Sequence, residues 1–323
     1  MAANTDRRRI NAPSGGTSAP VFAKPVKAPG YLQSLRPNRT RGPNELRKTC
    51  KQTNSIRTVL QTGVVPSASG SAYLEVPTTT ASSQSSLIPP TSSLKIAASI
   101  QGPKPLPRSA PFSPTLVLTT TVKFAPFATR YRRGYIRDSA ERDLGVHLEA
   151  ALRGVIIGER WPKSGLEVVI TILEGDEDAW WGDDKAEGGA GSGWGLLNVL
   201  AGCITVASAA IMDASIDCVD MVAGGVAAIT ADGQKVLEPC PAEHQDLVAA
   251  CAVGYLASRD EITELWLKGE VGADPDELIE GATHAAMGSV SVLREVLLES
   301  MGTKTKVANE VSKRKLEDVE MTG

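Results

Sequence analysis

Aromatic residues are scarce: Phe, Trp and Tyr together make up 4% of the 323 residues. A sizeable core must therefore be mostly aliphatic and alanine-rich, and a hydrophobic content of 42% is enough to build one. Only three histidines occur, His147, His244 and His284, and the five cysteines (Cys50, Cys203, Cys218, Cys240, Cys251) form no C-x-x-C. The clustered ligands of a zinc site are thus missing, and no metal or cofactor is expected. Four of the cysteines stand in apolar stretches, the usual setting of small core residues in a reducing compartment. No uninterrupted apolar run of membrane length is apparent. DRRRI near the N-terminus has no apolar segment after it, unlike a secretory signal. These absences lead to the expectation of a soluble intracellular protein.

The net charge of −3 hides an asymmetry. Residues 1–60 carry about a dozen Lys and Arg against Asp6 and Glu45 alone. Such polarity fits nucleic-acid contact or a solubilising tail. Residues 1–35, rich in Pro, Gly and Ser, are expected to be a disordered basic arm.

From Ser55 the pattern changes. SIRTVLQTG and GSAYLEV read as strands, followed by a polar insertion at about 77–93. LKIAASIQG and TLVLTTTVKFAP read as two more strands, joined by the proline-rich loop GPKPLPRSAPFSP with Lys104 and Arg108. A strand is expected in LEVVITILE, then an acidic, glycine-rich insertion at about 176–195. It lacks the G-K-[ST] of a phosphate loop, and its carboxylates read as an exposed loop rather than a cation cage. LLNVLAGCITVASAAIMDA reads as a helix of small residues, and MVAGGVAAITADGQKVLEP as a hairpin turning at Asp232-Gly233. DLVAACAVGYLAS and EITELWLKGE are read as strands. Asp274-Pro275 opens a helix running to about Met301, and residues 302–323 are expected to be a disordered charged tail. The order predicts a single α/β (α+β) domain, helices packed on mixed sheets.

One stretch concentrates cations before a helix: YRRGYIRDSAERDLGVHLEAALRG. Asp138 and Glu141 form a D-x-x-E capping box, and Leu144, Leu148, Ala151, Leu152 and Val155 make one apolar stripe, with Gly158 as the expected stop. Arg130, Arg132 and Arg133 lie in the entering loop, and Arg137 is next to the N-cap. Helix N-termini favour anions. These arginines fit phosphate chemistry, an RNA backbone or a neighbouring subunit equally.

Several motifs in order carry a family resemblance. RPNRTRGPNELRK (residues 36–48) is similar to the RPDGR…ELR opening of RNase PH-type proteins, GSAYLEV to their GSA-x-x-E strand, and SIQGP to their V-x-GP strand end. The resemblance covers residues 36–301 and implies an RNase PH-like fold, of the ribosomal protein S5 domain 2-like type. GPKPLPRSAPFSP, VKFAPFATRYRRGYIRDSAERDL and ASAAIMDASI look like the RNase PH-like subunits of the eukaryotic RNA exosome ring, with insertions that suit a fungal member.

The resemblance also allows the chemistry to be checked. Active members cleave RNA from the 3′ end with inorganic phosphate. They carry an arginine where this chain has Ala150, and a DGGTR turn where it has Leu197-Asn198-Val199-Leu200. Their E-D-S-A-A-D-V-D strand corresponds to Glu243-His244-Gln245-Asp246-Leu247-Val248-Ala249-Ala250, so both later aspartates are absent. An oriented cluster fails when one member is lost. The expectation is a non-catalytic ring subunit that threads RNA to a separate processive nuclease. Its implied partners are related RNase PH-like ring subunits, RNA-binding cap subunits and RNA. Its expected RNA contacts are Lys104, Arg108, Arg130, Arg132 and Arg133. The implied location is nucleus, nucleolus and cytoplasm, compatible with RRR at 7–9 and KRK at 313–315. Two rivals use the same residues: an active phosphate-dependent exoribonuclease, and an RNA-binding module acting alone.

Overall fold

The computed structural model describes residues 59–76, 94–129, 138–175, 194–230, 235–239, 247–270 and 275–321, with Gly134, Ile136 and Gly233 singly. The arm at 1–35, the RPNRTRGPNELRK motif, both insertions, Asp232 and Asp274 lie outside the described residues.

The strands are β1 (Val59–Thr62), β2 (Gly70–Val76), β3 (Leu94–Pro105), β4 (Val117–Phe124), β5 (Ser164–Glu174), β6 (Val222–Thr230), β7 (Lys235–Leu237), β8 (Leu247–Leu256) and β9 (Glu261–Gly269). The helices are α1 (Ser139–Arg153), α2 (Gly195–Asp213) and α3 (Pro275–Met321). The first sheet has the order β1-β2-β3-β5-β4 and the second β7-β6-β8-β9. All neighbours are antiparallel except β4 and β5, which α1 joins as a parallel crossover.

The first sheet follows from alternation. Leu94, Ile96, Ala98 and Ile100 of β3, and Leu166, Val168, Ile170 and Ile172 of β5, point into one core. The second sheet is covered on both faces, so β6 and β8 are almost continuously buried. α2 packs on one face, and Leu278, Ala282 and Ala286 of α3 pack on the other. Two adjacent glycines make this double approach possible. A Cβ on Gly224 would overlap the Ala201 carbonyl of α2, and one on Gly225 would overlap Ala282 of α3. Gly224 N–H donates to Thr205 Oγ1 (3.0 Å), and Ser289 Oγ donates to the Gly224 carbonyl (3.1 Å). These bonds account for two buried hydroxyls.

α1 starts as expected. Asp138 caps it, and Glu141, 2% exposed, accepts from Asp138 N (3.1 Å) and Phe124 N (2.9 Å). The capping box therefore ties the helix to the end of β4, a bond pattern worth about 1 kcal/mol at a typical cap. The stripe Leu144, Leu148, Ala151, Leu152 is fully buried, each leucine contributing about 1.5–3 kcal/mol.

Four expectations need correction. α1 ends at Arg153 with Gly154 as its cap, not at Gly158. The closer glycine sits against Thr263 of β9, and the chain then turns into the Gly158–Arg160 3-10 turn, which keeps Val155 buried beyond the helix end. β3 continues through Pro105, so Lys104 stands on a strand rather than in the proline-rich loop. α3 does not stop near Met301 but is helical to Met321. Its continuation is rich in Lys and Glu, which are good helix formers, and has no proline. Finally, α2 is long and apolar enough to cross a membrane by length and composition. It is enclosed between the two sheets instead, which explains its lack of charge before Asp213.

Candidate functional site

Two places bear on function, at opposite ends of the first sheet. The first is the corner where α2 begins beside the start of β8. Leu197, Val199 and Leu200 lie in the opening turns of α2 and are fully buried. Asn198 donates its Nδ2 to the Pro239 carbonyl. Trp194 takes the N-cap position without a side-chain cap bond. Its indole lies against Gly269 at the end of β9, beside the Val248 carbonyl. Lys268 Nζ stands 5.5 Å from that ring's centre, a cation–π distance. On β8, Val248 is 41% exposed and Ala250 is 1% exposed. Ala150 is exposed on α1. Leu200 and Ala250 offer neither charge nor hydrogen bond, so an anion at this corner would meet side chains that cannot solvate it.

The second place is the opposite end of the sheet. There β3 ends, the 106–116 loop turns, and residues 158–163 lead into β5. Lys104 pairs across the ladder with Gly165 and is exposed, its Nζ 2.7 Å from Gln101 Oε1. Arg108 is exposed on a turn closed by Ala110 N–H to the Pro107 carbonyl (2.9 Å). Leu106 N–H donates to the Lys163 carbonyl (2.9 Å), and Lys163 N–H donates to the Ser113 carbonyl (3.1 Å). Lys163 thus bridges both arms of the loop with a φ of 56°, and its Nζ lies 5.2 Å from the centre of the Phe112 ring. Among the described residues, Lys104, Arg108 and Lys163 make no ion pair.

Arg130, Arg132, Arg133 and Arg137 lie outside the described residues. Their loop begins after Thr129 and ends at the Asp138 cap, and Gly175 N–H donates to the Ala128 carbonyl (3.1 Å). It is therefore anchored at the far end of β5. Phe124 pairs with Ile172, whereas Lys104 pairs with Gly165. Seven residues of strand separate those two rungs, about 23 Å at ~3.3 Å per residue. The described flanks of that loop are thus far from Lys104. Lys104 and Arg108 hold one end of the sheet, and Thr129 and Asp138, the residues that flank the arginine loop, lie toward the other.

Comparison with known proteins places this geometry. Residues 56–217 match the RNase PH domain, described as the 3′ exoribonuclease family, domain 1. The Exosome complex component MTR3 of Chaetomium thermophilum is 48% identical over 306 residues, 92% of this chain and 100% of that protein. The chain belongs to the RNase PH family. The Exosome complex component mtr3 of Schizosaccharomyces pombe is 27% identical, covering 82% of this chain and 84% of that protein. In fold, the crystal structure of rice (Oryza sativa) Rrp46 superposes with a TM-score of 0.57 at 17% identity, covering 77% of this chain and 98% of that one. The expected RNase PH-like fold is therefore observed.

Leu197–Leu200, Val248 and Ala250, which the sequence resemblance matches to the DGGTR and D-x-D motifs of active members, lie at this corner. Leu197, Val199, Leu200 and Ala250 are buried, whereas Val248 is exposed. Glu243 and Asp246, the remaining carboxylates of the acidic stretch, lie outside the described residues. Three contributors were missed from sequence. Trp194 ends a glycine-rich run read as loop, and only its W-G-L-L-N context hinted at a helix start. Phe112 and Lys163 are 51 positions apart (163 − 112), and only the backbone pairing through Ser113 joins them.

Proposed function

We propose that this chain is a non-catalytic subunit of an RNA exosome ring, where it forms part of the channel wall and guides RNA toward a separate 3′-to-5′ nuclease. The observation that carries this reading is Leu200. The position that holds the family's phosphate-binding arginine is a fully buried leucine in the core between the sheets. A phosphate-dependent cleavage needs cations to hold the attacking phosphate and acidic groups to place a proton or metal ion. The corner supplies neither at Leu200, Val248 or Ala250.

The likeness to proteins named as exosome components supports ring membership, and with it RNase PH-like neighbours, cap subunits and a processive nuclease as partners. Lys104 and Arg108 would contact the RNA backbone at one end of the sheet, and Arg130, Arg132 and Arg133 at the other. Arginine forks suit phosphate oxygens without reading sequence. A strand threading past this subunit would meet the two groups in succession. Work in ribosomal RNA maturation and RNA decay, in nucleus, nucleolus and cytoplasm, follows from that role.

The test is the composition and native mass of complexes purified on this chain at its natural expression level. The expected result is near-equal recovery with several related RNase PH-like chains and a separate nuclease. Recovery alone, or as rings of itself, overturns the reading. So does phosphate-dependent release of nucleoside diphosphates from RNA by the isolated chain.

A further inference from the structure

The far rim of the first sheet exposes an aromatic ring where a folded chain gains nothing from exposing one. Phe112 is 68% exposed, although it sits on a loop held at both sides. Ser113, its neighbour, accepts from Lys163 N–H (3.1 Å), Ser113 Oγ donates to the Thr115 carbonyl (2.7 Å), and Leu116 N–H donates to the Gly158 carbonyl (2.9 Å). The ring is therefore presented on a fixed backbone. Lys163 is equally fixed, in a left-handed conformation that L side chains adopt rarely. Its ammonium lies 5.2 Å from the centre of the Phe112 ring, and the exposure of the ring leaves apolar surface open to solvent.

We propose that Phe112 and Lys163 form a nucleotide-sized subsite for single-stranded RNA, in which a base stacks on the open ring surface and Lys163 meets an adjoining phosphate. Neither residue belongs to the contacts assigned above, and the inference rests on the RNA-guiding reading, which it deepens. The chemistry favours RNA over an acidic peptide. A peptide carboxylate would use the cations Lys104, Arg108 and Lys163 but would leave the exposed ring without a partner. A single strand offers both a flat base and a phosphate in each unit. The ring has no sequence preference, because every base has a face to stack, and that tolerance suits a protein handling many RNAs. Lys104 and Arg108 lie on the same rim, so the backbone on either side of the stacked base would also be neutralised.

The experiment uses the full chain in its reconstituted ring, with a 20-nucleotide oligouridine carrying a photoreactive 5-iodouridine. The expected result is a crosslink that maps to Phe112. Phe112→Ala should remove that crosslink and raise the Kd about five-fold, the lower range for one lost base stack, while Phe112→Trp should retain both. Lys163→Gln should reduce the slope of log K against log salt by about 0.7, as for one phosphate contact on a single strand. Wild-type affinity and crosslinking in both Phe112→Ala and Lys163→Gln rings overturn the proposal. Loss of a protein partner from the Phe112→Ala ring with RNA binding intact also overturns it and assigns the rim to that partner. Failure of the wild-type chain to enter a ring counts against the function proposed above instead. The crosslink and salt slope of the chain alone then decide this subsite independently.

Discussion

The corner at the start of α2 and the rim at the end of β3 lie at opposite ends of the first sheet and differ in burial. At the corner, Leu197, Val199, Leu200 and Ala250 are buried, so whatever occupies those positions must also pack. Leucine, valine and alanine fill them, and Trp194 covers the adjoining strand ends. At the rim, the cations stand on solvent-exposed turns and a strand end, where nothing packs over them. A charge placed among core-facing residues must be paid for in burial, whereas a charge on an exposed turn need not be.

Restoring the lost arginine gives the severest test of that contrast. Leu200→Arg should place a guanidinium among Leu197, Ile204 and the second sheet without a partner. We expect a stability loss of about 3–5 kcal/mol, comparable to an unpaired buried charge, read from urea unfolding midpoints. Phosphorolysis should not appear, because Val248 and Ala250 still lack carboxylates. A stably folded Leu200→Arg chain that gains phosphate-dependent cleavage would show that the corner is still an open site, and the contrast with the rim would collapse.

The matching change at the rim should leave the fold alone. Lys104→Glu with Arg108→Glu should shift stability by no more than about 0.5 kcal/mol, as for surface positions away from packed features. RNA affinity of the assembled ring should fall about ten-fold near 0.1 M salt, and the salt slope should lose about 1.4, two phosphate contacts at 0.7 each. Filter binding over a salt series reads both. An unchanged slope would mean that these cations face a neighbouring subunit, and the rim would then be an assembly surface.

Much of this contrast could be read before any coordinates. The resemblance that sets Leu200 against an arginine and Val248 and Ala250 against aspartates of active members compares residue identities, and identity is local. Alternation in β3 and β5 and the Asp138–Glu141 box are local as well, and the structure reproduces them. What failed was set by distant contacts. α1 ends at Gly154 rather than Gly158, and Gly154 is the glycine that Thr263 from the second sheet lies against, a contact not visible in the local sequence. The continuation of α3 was misread because a run of charges resembles both a disordered tail and an exposed helix. The separation of Lys104 from Phe124, at the end of the strand that leads to the arginine loop, follows from which rungs of β5 each meets, and sheet pairing does not show in a linear pattern. Phe112 and Lys163 were passed over for the same reason.

The buried thiols probe whether the core behind the corner is dry, and they do so with the smallest change. Cys203 lies on α2 at 0% exposure, and burial pushes its thiol well above the usual 9.0. Burial also lifts Cys251 to about 12, and burial with the neighbouring Asp217 carboxylate lifts Cys218 to about 12. The folded pKa is raised, so the unfolded chain releases these protons first. The stabilising contribution is complete below pH 9 and is lost as pH climbs from 9 toward the folded value. By pH 10, Cys203 alone should account for about 1.4 kcal/mol of lost stability, one pKa unit's worth. Cys203→Ala should therefore lower stability at pH 8 by a fixed cavity cost but flatten the decline between pH 8 and 10 by that amount. Unfolding curves at the two pH values measure the difference. An unflattened decline would mean that water reaches the thiol beside α2, and the leucines of the corner would then border a wet cavity rather than a packed core.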